Sequence, residues 1–375
     1  MNHLKKTMRI AMSLTKFDML KKKFSLFASW LLYILLLYLF TEIIAGYALD
    51  SYKKNQRGAT DYTILDSEAM IELTEVKRNA NLNLYRWYSN QANFNGQHVV
   101  TDASGFRINK DTLTNDEVVG MFGGSTTFSV LTSQDGTIPN LLSDILPGRQ
   151  VLNFGVGGYS TGAEIMTFVE ALRAYPKMKT AIFYDGVNEL GRPLERLGAV
   201  YNNSYELIGS PYVTGEINAI SRSIPGISLA DSNLYYIYKR ILPILNKKAD
   251  SIDKQKRMLS IVHRYFENVR VLHGICSEYE VECIFIWQPS IFTTSKDVLT
   301  ARENQILNET PMENYNALTK MIFQDERSKY FNIIDLSSAL NTKPATDQYY
   351  YDWCHLSMKG NAIVANEIAA IIENK

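Results

Sequence analysis

From residue 117 onward the chain alternates between short apolar runs and segments whose apolar residues recur with helical spacing. Val118–Phe122, Gln150–Phe154, Thr180–Tyr184, Val281–Trp287 and Phe331–Asp335 are rich in β-branched and aromatic residues. The first three break into glycine or Asp-Gly, and the fourth stops at Gln288-Pro289. Runs of this length bounded by turn residues read as buried strands. Between them, Thr137 with Pro139 opens a helix over Ile138–Ile145, by hydroxyl capping and a pre-set first turn. Further helices are expected over Ala163–Tyr175, over a segment ending at Cys276, around Met312–Phe323, and from Ser357 to Glu373. The helix before Cys276 shows its face in Met258, Ile261, Val262, Tyr265, Val269, Leu272 and Cys276. Strands alternating with helices predict a three-layer α/β/α sandwich around a five-stranded parallel sheet. Ligands of such sheets bind beyond the carboxyl ends of the strands.

The pattern before residue 117 is different. Phe24 to Thr41 runs for 18 residues without a charge and continues past Glu42 as IIAGYAL. At ~1.5 Å per residue this is about the length a helix needs to cross a bilayer core. The run has no polar face, which argues against a buried core helix. It is also longer than the apolar part of most cleaved signal peptides, and no clear small-x-small site follows it. The expectation is an uncleaved transmembrane signal anchor over 24–48 behind a basic cytoplasmic tail of 1–23. The rest of the chain then lies outside the cytoplasm, periplasmic or extracellular. Residues 49–114 form a lead-in of mixed character, and 115–375 the α/β domain. Within that domain, residues 191–254 show no clear strand and read as an insertion over the active face, since long loops in compact domains are usually functional.

The chain has 375 residues, 46% of them hydrophobic, which excludes general disorder. Its net charge of zero hides an asymmetry. Residues 1–23 hold seven of the 39 basic residues and one of the 39 acidic residues, leaving 32 against 38, a net −6 for the remainder. An acidic body gives nucleic-acid binding no support. Of the three cysteines, Cys276 and Cys283 fall at a helix end and in the following strand. A bridge between them suits an oxidising compartment, and two free buried thiols are the alternative.

The strand ends carry the candidate chemistry. Val118–Phe122 breaks into Gly123-Gly124-Ser125, placing a hydroxyl on a turn at the edge of the sheet. Asp352-Trp-Cys-His355 stands just before the last helix. At that spacing a carboxylate can accept the Nδ1 proton of the imidazole, so that Nε2 takes the proton of a serine. The N–H groups of Ser125 and Gly158, together with the Asn188 amide, can then hold an oxyanion. Gly155-Val-Gly-Gly-Tyr-Ser160 comes close to a dinucleotide fingerprint but ends in Ser160, with no acidic residue closing a strand ~20 residues on. No His/Cys/Asp set has the spacing of a zinc site. Neither a cofactor nor a metal is expected. Tyrosine clusters at 85–88, 235–238 and 349–351 are compatible with carbohydrate contact, although core and rim packing accounts for most aromatics.

With these residues in place, the chain resembles the SGNH, or GDSL-like, hydrolase family. Gly123-Gly-Ser125, Asn153-Phe-Gly-Val-Gly-Gly158, Gly186-Val-Asn188 and Asp352-Trp-Cys-His355 match its four blocks in order. The resemblance covers about residues 115–375. It implies a flavodoxin-like sheet of order 2-1-3-4-5 and acyl chemistry through a serine ester, with Ser125, Asp352 and His355 catalytic and Ser125, Gly158 and Asn188 forming the oxyanion hole. The sequence departs from the family at Gly124 and Glu189, where aspartate is frequent, and altered loop packing is expected there. The expected function is a membrane-anchored serine esterase acting on an O-acyl ester of a glycan or lipid. The alternatives are an O-acyltransferase with the same triad, or a non-catalytic module holding a glycan or envelope partner.

Overall fold

The structure is a computed structural model. It describes residues 29–30, 32–34, 36–47, 67–78, 81–83, 87–108, 117–189, 254–310, 315–344 and 346–374. The chain divides into two compact units, Met1–Gln56 with Pro225–Leu245, and Arg57–Ile224 with Asn246–Lys375. The expected insertion at 191–254 lies outside the described residues but for its final position.

In the first unit, the described residues between 29 and 47 are helical. Their large apolar side chains, among them Leu32, Ile34, Leu36, Phe40 and Ile43, are exposed. Among the described residues, no helix is long and apolar enough to cross a membrane. The expected span of 24–48 extends beyond the residues described here.

The second unit is built on a five-stranded parallel sheet. Its strands are β1 (Glu117–Gly123), β2 (Arg149–Gly155), β3 (Met178–Asp185), β4 (Glu282–Trp287) and β5 (Ile334–Asp335). They lie in the order β2-β1-β3-β4-β5, which is the 2-1-3-4-5 order implied by the resemblance. Strand periodicity sorts the side chains onto two faces. Val119, Met121, Ile182, Tyr184, Ile284 and Ile286 pack with α1 (Ile138–Ile145) and α6 (Met358–Glu373). On the opposite face Phe122, Phe154, Phe183 and Phe285 meet α2 (Thr161–Ala174), α3 (Lys254–Glu278) and α5 (Tyr315–Gln324). Because the strands are in register, these four rings stack in a ladder with centroids 4.8, 5.2 and 5.3 Å apart. The ladder lies one residue short of the ends of β1 and β2, so a rigid layer underlies the loops that follow.

The predicted helices occur close to their expected bounds, with Thr137 and Ser357 as N-caps accepting from Asn140 and Gly360 N–H. Helix α4 (Ala301–Glu309), not anticipated from the apolar pattern, is opened by a capping box between Thr300 and Glu303. Strand β5 has two residues rather than five, because Phe331 closes a short helix and Asn332 takes φ 52°. Cys276 at the end of α3 is bridged to Cys283 in β4, which decides between the two readings of that pair. Cys354 is buried and is not disulfide-bonded.

The described lead-in residues are built into the same unit. Leu73, Val76 and Val99 pack on Phe128, in the turn after Ser125. Arg107, 2% exposed, donates from Nε to Gln134 Oε1, from one terminal nitrogen to the Phe128 and Ser129 carbonyls, and from the other to those of His98 and Thr132. All five of its N–H groups are used. Burial pulls its pKa down to about 9, with Glu72 opposing the shift, so the guanidinium stays charged at neutral pH. Tyr88 Oη donates to Gly157 O, and Asn90 Nδ2 to Gly105 O and Gly155 O. The lead-in therefore braces two of the loops at the carboxyl edge.

Candidate active site

Ser125 is the first residue of a one-turn helix, Ser125–Phe128, that begins where β1 ends. Its Oγ lies 2.8 Å from His355 Nε2. His355 Nδ1 is 2.7 Å from Asp352 Oδ2, while Asp352 Oδ1 accepts the backbone N–H of Cys354 at 2.9 Å and of His355 at 2.8 Å. A carboxylate bonded to Nδ1 fixes the proton there and leaves Nε2 as an acceptor for the serine O–H. Burial pushes the Asp352 carboxyl up, but attraction to His355, the bond to its ring and the two backbone donors outweigh this. The net pKa is below the usual aspartate value, so Asp352 remains an anion throughout the neutral range. The structure thus brings together the nucleophile, base and orienting carboxylate expected from the sequence, across 230 residues of chain.

The oxyanion candidates border the same serine. Val156 N donates to Gly123 O, laying the 156–159 loop along the end of β1. Gly158 has φ 89°, a conformation that favours glycine. Among the described residues neither the Ser125 N–H nor the Gly158 N–H has an acceptor. Asn188 donates from Nδ2 to Tyr159 O at 2.6 Å, which uses one amide hydrogen and leaves the second.

Both departures from the family pattern have a physical account. A Cβ on Gly124 would stand 2.1 Å from Asn188 Nδ2 and 2.9 Å from Tyr159 O. Asn188 therefore occupies the space that a side chain at 124 would need. Glu189 accepts from Thr161 N at 2.7 Å, Thr161 Oγ1 at 2.9 Å and Gly186 N at 2.9 Å, tying the start of α2 to the turn that carries Asn188.

Among the described residues, two groups bring one ligand atom from each of three side chains within 4.8 Å of one another: Asp352, Cys354 and His355, and Glu164, Asp185 and Glu189. In the first, Nδ1 and Oδ2 already engage each other. Of the second set, the sequence singles out Asp185 as a turn residue and Glu189 as a departure from the family pattern, but not the three together. Burial, then repulsion from Asp185 and Glu189, raises the Glu164 pKa well above the ordinary range. Burial and Glu189 raise that of Asp185, opposed by the proximity of the Glu164 carboxyl.

No family model matches the sequence, and no curated protein matches it. Among solved structures, the fold is similar to a GDSL-like lipase from Bacteroides thetaiotaomicron VPI-5482, at 13% identity and a TM-score of 0.36, over 69% of this chain and 88% of that one. It is similar to the acetyl xylan esterase AlAXEase at 12% identity and 0.37, over 68% and 99%. It is also similar to a catalytic mutant of Axe2, an acetylxylan esterase from Geobacillus stearothermophilus, at 13% and 0.39, over 69% and 94%. Likeness at this level carries no weight for the reaction, which rests on the geometry above.

Proposed function

We propose that this chain is a serine esterase that cleaves an O-acyl ester through an acyl-enzyme. The observation that carries the reading is the Ser125–His355–Asp352 chain of bonds at 2.8 and 2.7 Å. Ser125 Oγ attacks the ester carbonyl as His355 Nε2 takes its proton, and Asp352 stabilises the resulting imidazolium. The N–H groups of Ser125 and Gly158 and the free amide hydrogen of Asn188 receive the oxyanion. The tetrahedral intermediate expels the alcohol with the proton from His355. Water, activated by the same imidazole, then attacks the acyl-serine, releasing the acid and restoring Ser125.

Residues 24–48 anchor the protein in a membrane by our reading, with the catalytic unit outside the cytoplasm. The exposed apolar side chains between residues 30 and 47 support the anchor, and the Cys276–Cys283 bridge supports an oxidising compartment. The substrate class that follows is an acylated envelope glycan or lipid, with a small acyl group such as acetyl. Transfer to an alcohol uses the same acyl-enzyme, and product analysis with and without an acceptor glycan separates it from hydrolysis. The activity itself is tested with an activated acetyl ester. Wild type turns it over, and Ser125→Ala loses on the order of 10⁶-fold in kcat. Equal rates for the two proteins would refute the reading.

A further inference from the structure

Beside the turn that carries Asn188, three carboxylates come together from α2, the end of β3 and the turn itself. Glu164 projects from the first turn of α2, Asp185 ends β3, and Glu189 follows Asn188. Glu164 and Asp185 are each 1% exposed and Glu189 is 8% exposed. The three differ in what they touch. Glu189 is held by the three donors of Thr161 and Gly186. Both oxygens of Glu164 and both of Asp185 have no donor among the described residues.

A second observation points into the same place from another element. Tyr265 of α3 is 1% exposed, its hydroxyl has no partner among the described residues, and the charges that act on its phenol are those of Asp185, Glu189 and Glu164. Its ring meets Trp287 edge-on at 5.1 Å, and the Trp287 ring in turn covers Gly186, within 3.2 Å of where a Cβ would stand. The Tyr265 hydroxyl is thus a further buried oxygen without a partner among the described residues, within electrostatic range of the three carboxylates.

Burial and mutual repulsion disfavour the charged forms of Glu164 and Asp185, so holding all three carboxylates ionised requires a compensating charge. A proton shared between Glu164 and Asp185 would join one oxygen of each and leave their other two bare. A cation engages one oxygen of each of the three carboxylates at once. In a single coordination sphere, opposite oxygens sit about 4.2 Å apart around Mg²⁺ and about 4.8 Å around Ca²⁺, twice the usual metal–oxygen distance. One oxygen from each of Glu164, Asp185 and Glu189 lies within 4.8 Å of the others. An all-oxygen set of carboxylates and a phenol selects a hard ion over zinc or copper. A charge of +2 leaves one negative charge, matched by the three donors on Glu189.

We infer that Glu164, Asp185 and Glu189, with the Tyr265 hydroxyl, form a binding site for one hard divalent cation of the Ca²⁺, Mg²⁺ or Mn²⁺ class. The bound ion braces α2 against the 185–189 turn. This assignment is independent of the esterase reading.

The test uses the full chain in detergent, stripped with EDTA and then given CaCl₂, MgCl₂ or MnCl₂ separately. At least one ion is expected to bind at one per chain by elemental analysis and to raise the unfolding midpoint saturably by several degrees. Glu164→Gln and Asp185→Asn lose both effects, while Ser125→Ala keeps them, which separates this site from the catalytic proposal. Terbium locates the site without relying on the folding of the acidic variants. Bound beside Tyr265 and Trp287 it emits on excitation of those rings, and Trp287→Phe weakens the emission while leaving uptake intact. Failure of all three cations to bind or to shift the midpoint overturns the assignment. So does terbium emission indifferent to Trp287→Phe, or stoichiometric uptake retained by folded Glu164→Gln and Asp185→Asn.

Discussion

Asp352 and Asp185 are both carboxylates at the functional edge of one sheet, and they are treated in opposite ways. Each oxygen of Asp352 has its donors, two backbone N–H groups on one and the imidazole on the other, and its pKa falls. Neither oxygen of Asp185 has one among the described residues, and its pKa rises. Burial pushes both upward, so donors rather than depth separate them. One arrangement keeps a fixed negative charge beside an imidazole. The other leaves a buried carboxyl whose charged form burial and Glu189 disfavour.

The largest break in this comparison is Asp352→Asn. The asparagine keeps the size but presents an amide to Nδ1, so the imidazole loses the tautomer that lets Nε2 act as base. Steady-state kinetics should show kcat on the acetyl ester falling on the order of 10⁴-fold. The same variant sharpens the pH side. The folded-state pKa of Asp352 is depressed, so its contribution to stability is present above the unfolded value of about 3.9 and is lost as pH falls through the folded value. In acid titrations followed by circular dichroism, Asp352→Asn should lose less stability than wild type below about pH 4.

A smaller effect is expected from Gly124→Ala. The new Cβ collides with Asn188 Nδ2 and, less severely, with Tyr159 O, so the amide must leave its place. The loss of one oxyanion donor predicts a fall of about 10²–10³ in kcat, matched by Asn188→Ala. The two changes together should cost little more than either alone, which a double-mutant cycle reads directly. Arg107→Ala removes five donors from buried or part-buried acceptors in the satisfied region. Each acceptor stranded away from water costs about 1–3 kcal/mol, so chemical denaturation should show a loss of several kcal/mol, with a lesser effect on kcat in the protein that remains folded.

The legible parts of this chain are those that repeat a period or break it sharply. Four strands and the order of the blocks follow from apolar runs ending in glycine or proline, and Asp352 and His355 stand three residues apart. Arg107 was not legible, since a lone arginine in a polar stretch reads as solvated, and its acceptors lie up to 27 positions away. The acidic cluster was hidden because Glu164 looks like an ordinary first-turn helix residue and Asp185 like a turn residue. The signal that could have found it is the pairing of an acid at a strand end with acids in the neighbouring helix start and turn. Helix α4 had a local sign in Thr300-x-x-Glu303, but its apolar face is too short to show a period.

The central claim is that Ser125 is a nucleophile activated by His355, and a serine-directed fluorophosphonate tests it most directly, since only an activated hydroxyl displaces the fluoride. The full chain, folded and in detergent, is treated with the probe, digested and analysed by mass spectrometry. A single adduct on the peptide containing Ser125, absent in Ser125→Ala and formed far more slowly in Asp352→Asn, is the predicted result. Folded wild-type protein that stays unlabelled, or that carries its adduct on another residue, would contradict the account.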